Sequence, residues 1–225
     1  FEHALQADIS DMFSEYVQKA IKVCETASET FASLGGPVDK ASGIRCKALA
    51  LYCDQYLPKE SQETRQGLYA VLELQQNVLD LYKNWGDASV KRVLYSEILR
   101  TINDLLEYVQ TRNKRIELVE LGLAYSEKAI QTCLNLKDER GSAGIYLEAS
   151  GLCGTGSGIL PDENQRIMCE KKHEEYLRSA LELSERTGDK VVRAKTVSAI
   201  VYWQLVKSAG VAAPACSRDL WEMLE

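Results

Sequence analysis

The chain has 225 residues, of which 45% are hydrophobic, and its formal net charge is −6. This apolar content is sufficient for a packed core, and the negative charge argues against nucleic-acid binding, which depends on clustered Lys and Arg. The seven cysteines show no disulfide-framework spacing, and no apolar run is long enough to span a membrane. We therefore expect a soluble cytoplasmic protein with reduced thiols and without membrane insertion.

Helix-favouring residues dominate the chain and only four prolines interrupt it, so we expect an all-α fold. Apolar residues recur at three- and four-residue steps, which is the spacing of one helix face. A further helix is expected to begin near Arg218. The predicted helices lie at about 8–34, 39–57, 60–84, 88–110, 115–138, 142–153, 163–187 and 190–208.

Proline and glycine mark the expected breaks between these helices. Pro37, Pro58 and Pro161 each fit a helix that ends and restarts, and Gly86 with Asp87 predicts a tight helix hairpin. No linker separates the helices, so we expect one domain over residues 1–225. The first residue is not methionine, which is compatible with a piece of a longer chain.

A leucine-to-glycine pattern occurs three times. Leu79 precedes Gly86, Leu134 precedes Gly141, and Leu181 precedes Gly188 by seven residues, with the copies 55 and 47 residues apart. A recurring helix end and turn predicts a supersecondary unit stacked several times. The segment from 194 to 205 is apolar almost all round, so we expect it to be packed on several sides in the middle of a layer.

The segment from Tyr176 to Leu183, followed by Gly188, Asp189 and Ile200, resembles the long form of the tetratricopeptide repeat. The resemblance implies a right-handed superhelix of about eight or nine helices, arranged as antiparallel hairpins in an α-solenoid. The chain departs from the family in its longer spacing and in having Ile200-Val201 where the family has Leu-Gly.

The resemblance also implies that the first helix of each pair lines a groove in which a protein or peptide partner binds. Counted from Ile98 and Ile200 as the family's leucine, polar residues recur at the inward positions, and the alternative is that they are ordinary exposed residues. The implied partner-binding residues are Ser96, Arg100, Asn103, Lys195, Ser198 and Tyr202, with Glu148 and Lys47 at equivalent places.

Three other motifs contain residue types that occur in chemical sites. The glycine-rich stretch 151–158 lacks a preceding strand and a Gly-Lys-Ser/Thr end, so we expect a flexible inter-helix loop, with anion or partner binding as the alternative. Cys169 and His173 lie one helical turn apart, which is too few ligands for zinc, and His173 is expected at the surface beside a half-buried thiol. Cys46 and Cys53 are expected in the core. We expect no metal and no cofactor.

With only two histidines, the chain offers little for a catalytic triad, and we expect no enzyme. The first hypothesis is a protein-protein interaction scaffold that binds a peptide or partner helix. The alternatives are a regulatory sensor that binds a small ligand or signal peptide and controls an attached effector, and a hydrolase or transferase using 151–158. Homo-oligomerisation through Trp203 and Trp221 is a fourth possibility.

Overall fold

The computed structural model describes residues 2–84 and 87–209, and this part of the chain is helical without any strand. The expected all-α fold is confirmed. The predicted helix at Arg218, together with Gly86 and Trp221, lies outside the described residues. The helices are α1 (Glu2–Leu34), α2 (Pro37–Asp54), α3 (Ser61–Leu81), α4 (Ala88–Tyr108), α5 (Arg112–Leu136), α6 (Glu139–Ile159), α7 (Glu163–Thr187) and α8 (Lys190–Ala209), with a 3-10 turn at Tyr82–Asn84.

The helices form two compact units, Phe1–Asp87 and Ala88–Glu225. The single domain expected from the sequence stays a prediction. In the first unit, α2 packs against both α1 and α3. In the second unit, each helix from α4 to α8 packs against the next, and α6 also contacts α4 and α8. None of the described helices combines the length and apolar character needed to cross a membrane.

The helix starts recur with one spacing. The helices α2, α4, α6 and α8 begin at Pro37, Ala88, Glu139 and Lys190, each 51 residues after the last. The alternate helices α3, α5 and α7 begin at 61, 112 and 163, with the same interval. The leucine copies lie 55 and 47 residues apart in the sequence, and the interval between helix starts falls between these two spacings.

The turns follow the same interval. Gly35 and Gly188 have φ values of 76° and 69°, and Lys137 has a φ of 53°. This left-handed conformation ends a helix, and glycine adopts it without the strain that a side chain such as that of Lys137 incurs. The Asp138 and Asp162 side chains then accept hydrogen bonds from the Gly141 and Gln165 amides, which caps α6 and α7.

Burial confirms the 51-residue register within the described residues. Residues 51 positions apart occupy equivalent places in alternate helices. At several of these places every equivalent residue is buried, even where one of them is small or polar. Four such sets are Gly43, Leu94, Ile145 and Thr196; Ala50, Thr101, Leu152 and Trp203; Val71, Gly122 and His173; and Val78, Ala129 and Ala180.

The glycine-rich stretch 151–158 is not a loop. It forms the last part of α6, which ends at Ile159 rather than at 153. A Cβ added to Gly154 would lie 3.1 Å from the His173 ring, and one added to Gly156 would lie 3.1 Å from the Cys169 sulfur. These glycines therefore allow α6 to approach α7 closely, and packing outweighs their poor helix propensity.

The expectation that α8 is packed on several sides is wrong for the described part of the chain. Trp203 and Val206 are buried, but Val201 and Leu205 are 50% and 52% exposed. Val201 is equivalent to Leu99 and Ser150, which are both buried. Within the described residues α8 therefore has one packed face, and it does not lie in the middle of a layer.

Candidate functional site

The predicted partner-binding residues fall on four helices. Lys47 belongs to the first unit, and the other seven belong to the second. Their positions are Lys47 on α2; Ser96, Arg100 and Asn103 on α4; Glu148 on α6; and Lys195, Ser198 and Tyr202 on α8.

Three of these residues contact each other between α4 and α6. The Asn103 amide donates to the Glu148 carboxylate at 2.9 Å and to the Glu148 backbone carbonyl at 3.1 Å. The Arg100 guanidinium approaches the other carboxylate oxygen at 3.5 Å. The Arg100 side chain is 51% exposed and that of Glu148 is 21% exposed, so the carboxylate holds an arginine whose charge still faces solvent.

Gly151 adds an exposed stretch of backbone to the same part of α6. A Cβ at this position would lie 3.3 Å from the Asn103 side-chain oxygen. The helices α4, α6 and α8 are the first helices of successive pairs. Arg100, Gly151 and Tyr202 occupy equivalent positions on them, because each is 51 residues from the next. The central helix therefore presents backbone where its neighbours present an arginine and a tyrosine.

The α8 residues are less enclosed. Lys195 and Ser198 are exposed, and Tyr202 is half-buried. Ser198 is equivalent to the half-buried Ser96 of α4, two intervals away. The structure thus places Arg100, Asn103 and Glu148 in one cluster, and it places Ser198 and Tyr202 of α8 at the positions equivalent to Ser96 and Arg100.

Lys47 belongs to a different surface. It is exposed and lines a groove of about 560 Å³ between α1 and α2, together with Glu25, Glu29 and Asp54. In the 51-residue register Lys47 matches Ile98, a fully buried core residue, rather than a polar inward position. The assignment of Lys47 to the place of Glu148 therefore differs from the observed register.

Two ion pairs that the sequence did not predict involve the aspartates that precede α6 and α8. Arg92 of α4 contacts Asp138 at 2.9 Å, and Arg140 of α6 contacts Asp189 at 3.2 Å. Each aspartate precedes the next first helix, and Asp189 also accepts from the Val192 amide. That amide and the Arg140 guanidinium lower the pKa of Asp189. These two aspartates are 51 residues apart and each precedes a helix, and this recurrence is the feature of the sequence that could have indicated the ion pairs.

His173 is buried, so its expected surface position is wrong. Its ring lies 4.3 Å from the Trp203 ring, and its Nδ1 donates to the Ser150 carbonyl at 2.6 Å. Burial lowers the pKa of His173 below 6.5, while the Ser150 carbonyl opposes this shift. Trp203 is likewise buried and is not an exposed contact for self-association, and the other proposed contact, Trp221, lies outside the described residues.

Cys169, one turn before His173, is also more buried than expected. It is 1% exposed rather than half-buried. Cys46 and Cys53, expected in the core, are only partly buried. Among the residues that the structure describes, no three His, Cys, Asp or Glu side chains are arranged to hold a metal ion.

Comparison with protein-family models, curated proteins and solved structures found no match to this chain. The comparisons therefore add no support for tetratricopeptide membership. The coarser description, an all-α fold in which helix pairs recur and adjacent helices pack, is supported by the structure.

Proposed function

We propose that this protein is a non-catalytic interaction scaffold of tetratricopeptide-like type, which binds an extended peptide or partner helix on the first helices of its second unit. Stacked helix hairpins with first helices in contact are the arrangement in which such a groove forms. The 51-residue interval exceeds that of the standard repeat, so the proposal is for a related architecture with longer helices.

The observation that carries the proposal is the cluster of Arg100, Asn103 and Glu148 beside Gly151. Glu148 restrains Arg100 before any partner arrives, while about half of the arginine side chain remains accessible. Restraining a long side chain in advance reduces the entropy lost on binding. An arginine held in this way favours a carboxylate on the partner, because guanidinium and carboxylate match in geometry.

Gly151 contributes to the proposed groove because it has no side chain. Its backbone is exposed on α6, at the position where α4 has Arg100 and α8 has Tyr202. A peptide lying across the three helices could approach the α6 backbone closely while contacting longer side chains on either side. Lys195 and Ser198 would extend the polar contacts on α8, where both are exposed.

A displayed library of random peptides, selected on the full 225-residue chain, tests this proposal. Enriched peptides should bind the wild-type chain and lose affinity by about tenfold or more with the double variant Arg100→Glu and Lys195→Glu, because charge-assisted contacts become repulsive. The melting temperature should change little, because both side chains are exposed and a partly exposed ion pair such as that of Arg100 with Glu148 contributes little to stability.

The matched control is the double variant Lys171→Glu and Arg178→Glu, which makes the same charge change at exposed positions of α7. This variant should retain wild-type affinity for the selected peptides. Equal affinities of all three proteins would contradict the assignment of the groove, and equal losses in both variants would indicate a general charge effect.

A further inference from the structure

The helix α8 of the second unit has an exposed apolar face. Val197, Val201 and Leu205 are 44%, 50% and 52% exposed, and they recur at four-residue steps, which places them on one side of the helix. We call these three residues the α8 face. Single exposed apolar residues are common on protein surfaces, but a row of them on one helix indicates a surface that another element covers.

The α8 face matches the positions by which α6 contacts α7. In the 51-residue register, the α6 residues equivalent to the α8 face are, in order, Tyr146, Ser150 and Gly154. The ring centroids of Tyr146 and Tyr176 are 5.4 Å apart. The Ser150 carbonyl accepts a hydrogen bond from the His173 ring at 2.6 Å, and a Cβ on Gly154 would lie 3.1 Å from the same ring. The α8 face is therefore the surface on which a second helix of the repeat packs.

The helix α1 of the first unit belongs to the class of second helices, like α5 and α7. Gly35, Lys137 and Gly188 follow these three helices, and they lie whole multiples of 51 residues apart. All three residues have positive φ values, so the three helices end in the same kind of turn. The residues of α1 can therefore be matched with those of α7, three intervals later.

This match identifies an exposed counterpart of the α8 face. The α7 residues that approach α6 include Cys169, His173 and Tyr176. The equivalent α1 residues, which we call the α1 face, are Tyr16, Ala20 and Val23. All three are exposed, Tyr16 by 65% and Val23 by 69%. Each unit thus exposes one half of the junction that α6 and α7 form with each other.

The two faces also match each other in side-chain size. His173 of α7 packs against Gly154 of α6. At the equivalent places the order is exchanged, because the α8 face has Leu205 and the α1 face has Ala20. A large residue therefore opposes a small one in both cases, which suits close packing of two helices. The two tyrosines that meet between α6 and α7 are each replaced by a valine in these faces.

We propose that this protein associates with a second copy of itself head to tail, with the α1 face of one copy packed on the α8 face of the other. The contact continues the 51-residue repeat from one copy into the next, because it pairs a first helix with a second helix in the observed register. The two ends of such a dimer still carry one α1 face and one α8 face, so association proceeds beyond the dimer. Neither face includes the cluster of Arg100, Asn103 and Glu148.

Sedimentation velocity of the full 225-residue chain over a concentration series tests this proposal. We expect monomers at about 1 µM and dimers with longer species at about 100 µM, because a single helix-helix junction is small for a protein interface. The variants Val201→Asp and Val23→Asp each place a charge in one face, so each alone should remain monomeric.

A mixture of the two variants distinguishes head-to-tail packing from other modes. Val201→Asp keeps an intact α1 face and Val23→Asp keeps an intact α8 face, so an equimolar mixture should form a one-to-one dimer that grows no further. The matched control is Ile167→Asp, which makes the same kind of change at an exposed apolar residue of α7 outside both faces. This control should associate like the wild-type chain.

Four outcomes would overturn the proposal. The full chain could stay monomeric at the highest concentration, including the case in which removal of residues 210–225 then allows association, since that segment would be the cover of the α8 face. One single variant could associate alone, which would indicate contact between identical faces. The mixture could stay monomeric although both variants keep the helical circular dichroism spectrum of the wild type. The control could lose association as the two variants do, which would indicate a general charge effect.

Discussion

At the residue scale, His173 shows how a polar side chain is accommodated in this core. Ser150 accepts a hydrogen bond from one ring nitrogen, and Trp203 covers the ring. The charged groups that face it are Glu170 and Glu174 on its own helix and Lys207 on α8. The lowered pKa has burial as its main cause, because a charged imidazole would lose its hydration.

This burial predicts a pH-dependent stability. The unfolded histidine titrates near 6.5 and the folded one below that value, so its contribution is complete above 6.5 and is lost as the pH falls below it. The free energy of unfolding by urea should therefore decrease between about pH 7.5 and about pH 5.5. Glu174, whose pKa is lowered from 4.5, titrates outside this range.

The variant His173→Gln is the control for this prediction. Its stability should change less than that of the wild-type chain over the same pH interval, because the titrating group has been removed. A decrease of the same size in both proteins would show that other groups cause the pH dependence.

At the element scale, α6 shows that glycines in one helix have opposite roles. A Cβ added at Gly144 would meet nothing within 4 Å. One added at Gly156 would meet the Cys169 sulfur, a Val119 methyl and a Leu160 methyl at 3.1 to 3.3 Å. Both positions carry the entropic cost of glycine in a helix, but only Gly156 offsets that cost by allowing close packing.

We therefore expect alanine to have opposite effects at these two positions. Gly144→Ala should increase the free energy of unfolding by about 0.5–1 kcal/mol, because helix propensity improves without a clash. Gly156→Ala should decrease it by about 1–3 kcal/mol, because three buried neighbours must move. Urea denaturation of both variants measures the difference, and effects of the same sign would contradict the packing described for α6.

At the scale of the whole molecule, the second unit contains a core of its own. Leu94, Ile98, Ile102 and Leu105 of α4 are fully buried, and so is Leu152 of α6. Each helix from α4 to α8 packs against its sequence neighbour, which is the contact pattern of a repeat array stabilised by nearest-neighbour interfaces. Such contacts are local in sequence, so the unit does not depend on distant segments for its core.

We therefore expect residues 88–225 to fold when expressed alone. The fragment should give a helical far-ultraviolet circular dichroism spectrum and a cooperative thermal transition, because its apolar residues find their partners within the unit. The full chain at the same molar concentration is the reference. A fragment that lacks helical signal or melts without cooperativity would show that the first unit is needed for its stability.

The sequence by itself determined the helical class and most helix positions, since apolar periodicity and turn residues act locally. The predicted range 163–187 agrees with α7. Tertiary packing decided what local rules could not: the glycines of 151–158 lie in α6 because α7 approaches them, and His173 is buried because Trp203 covers it. Likewise, the polar candidates Arg100 and Glu148 could be selected from the sequence, but their contact exists only because α4 packs on α6.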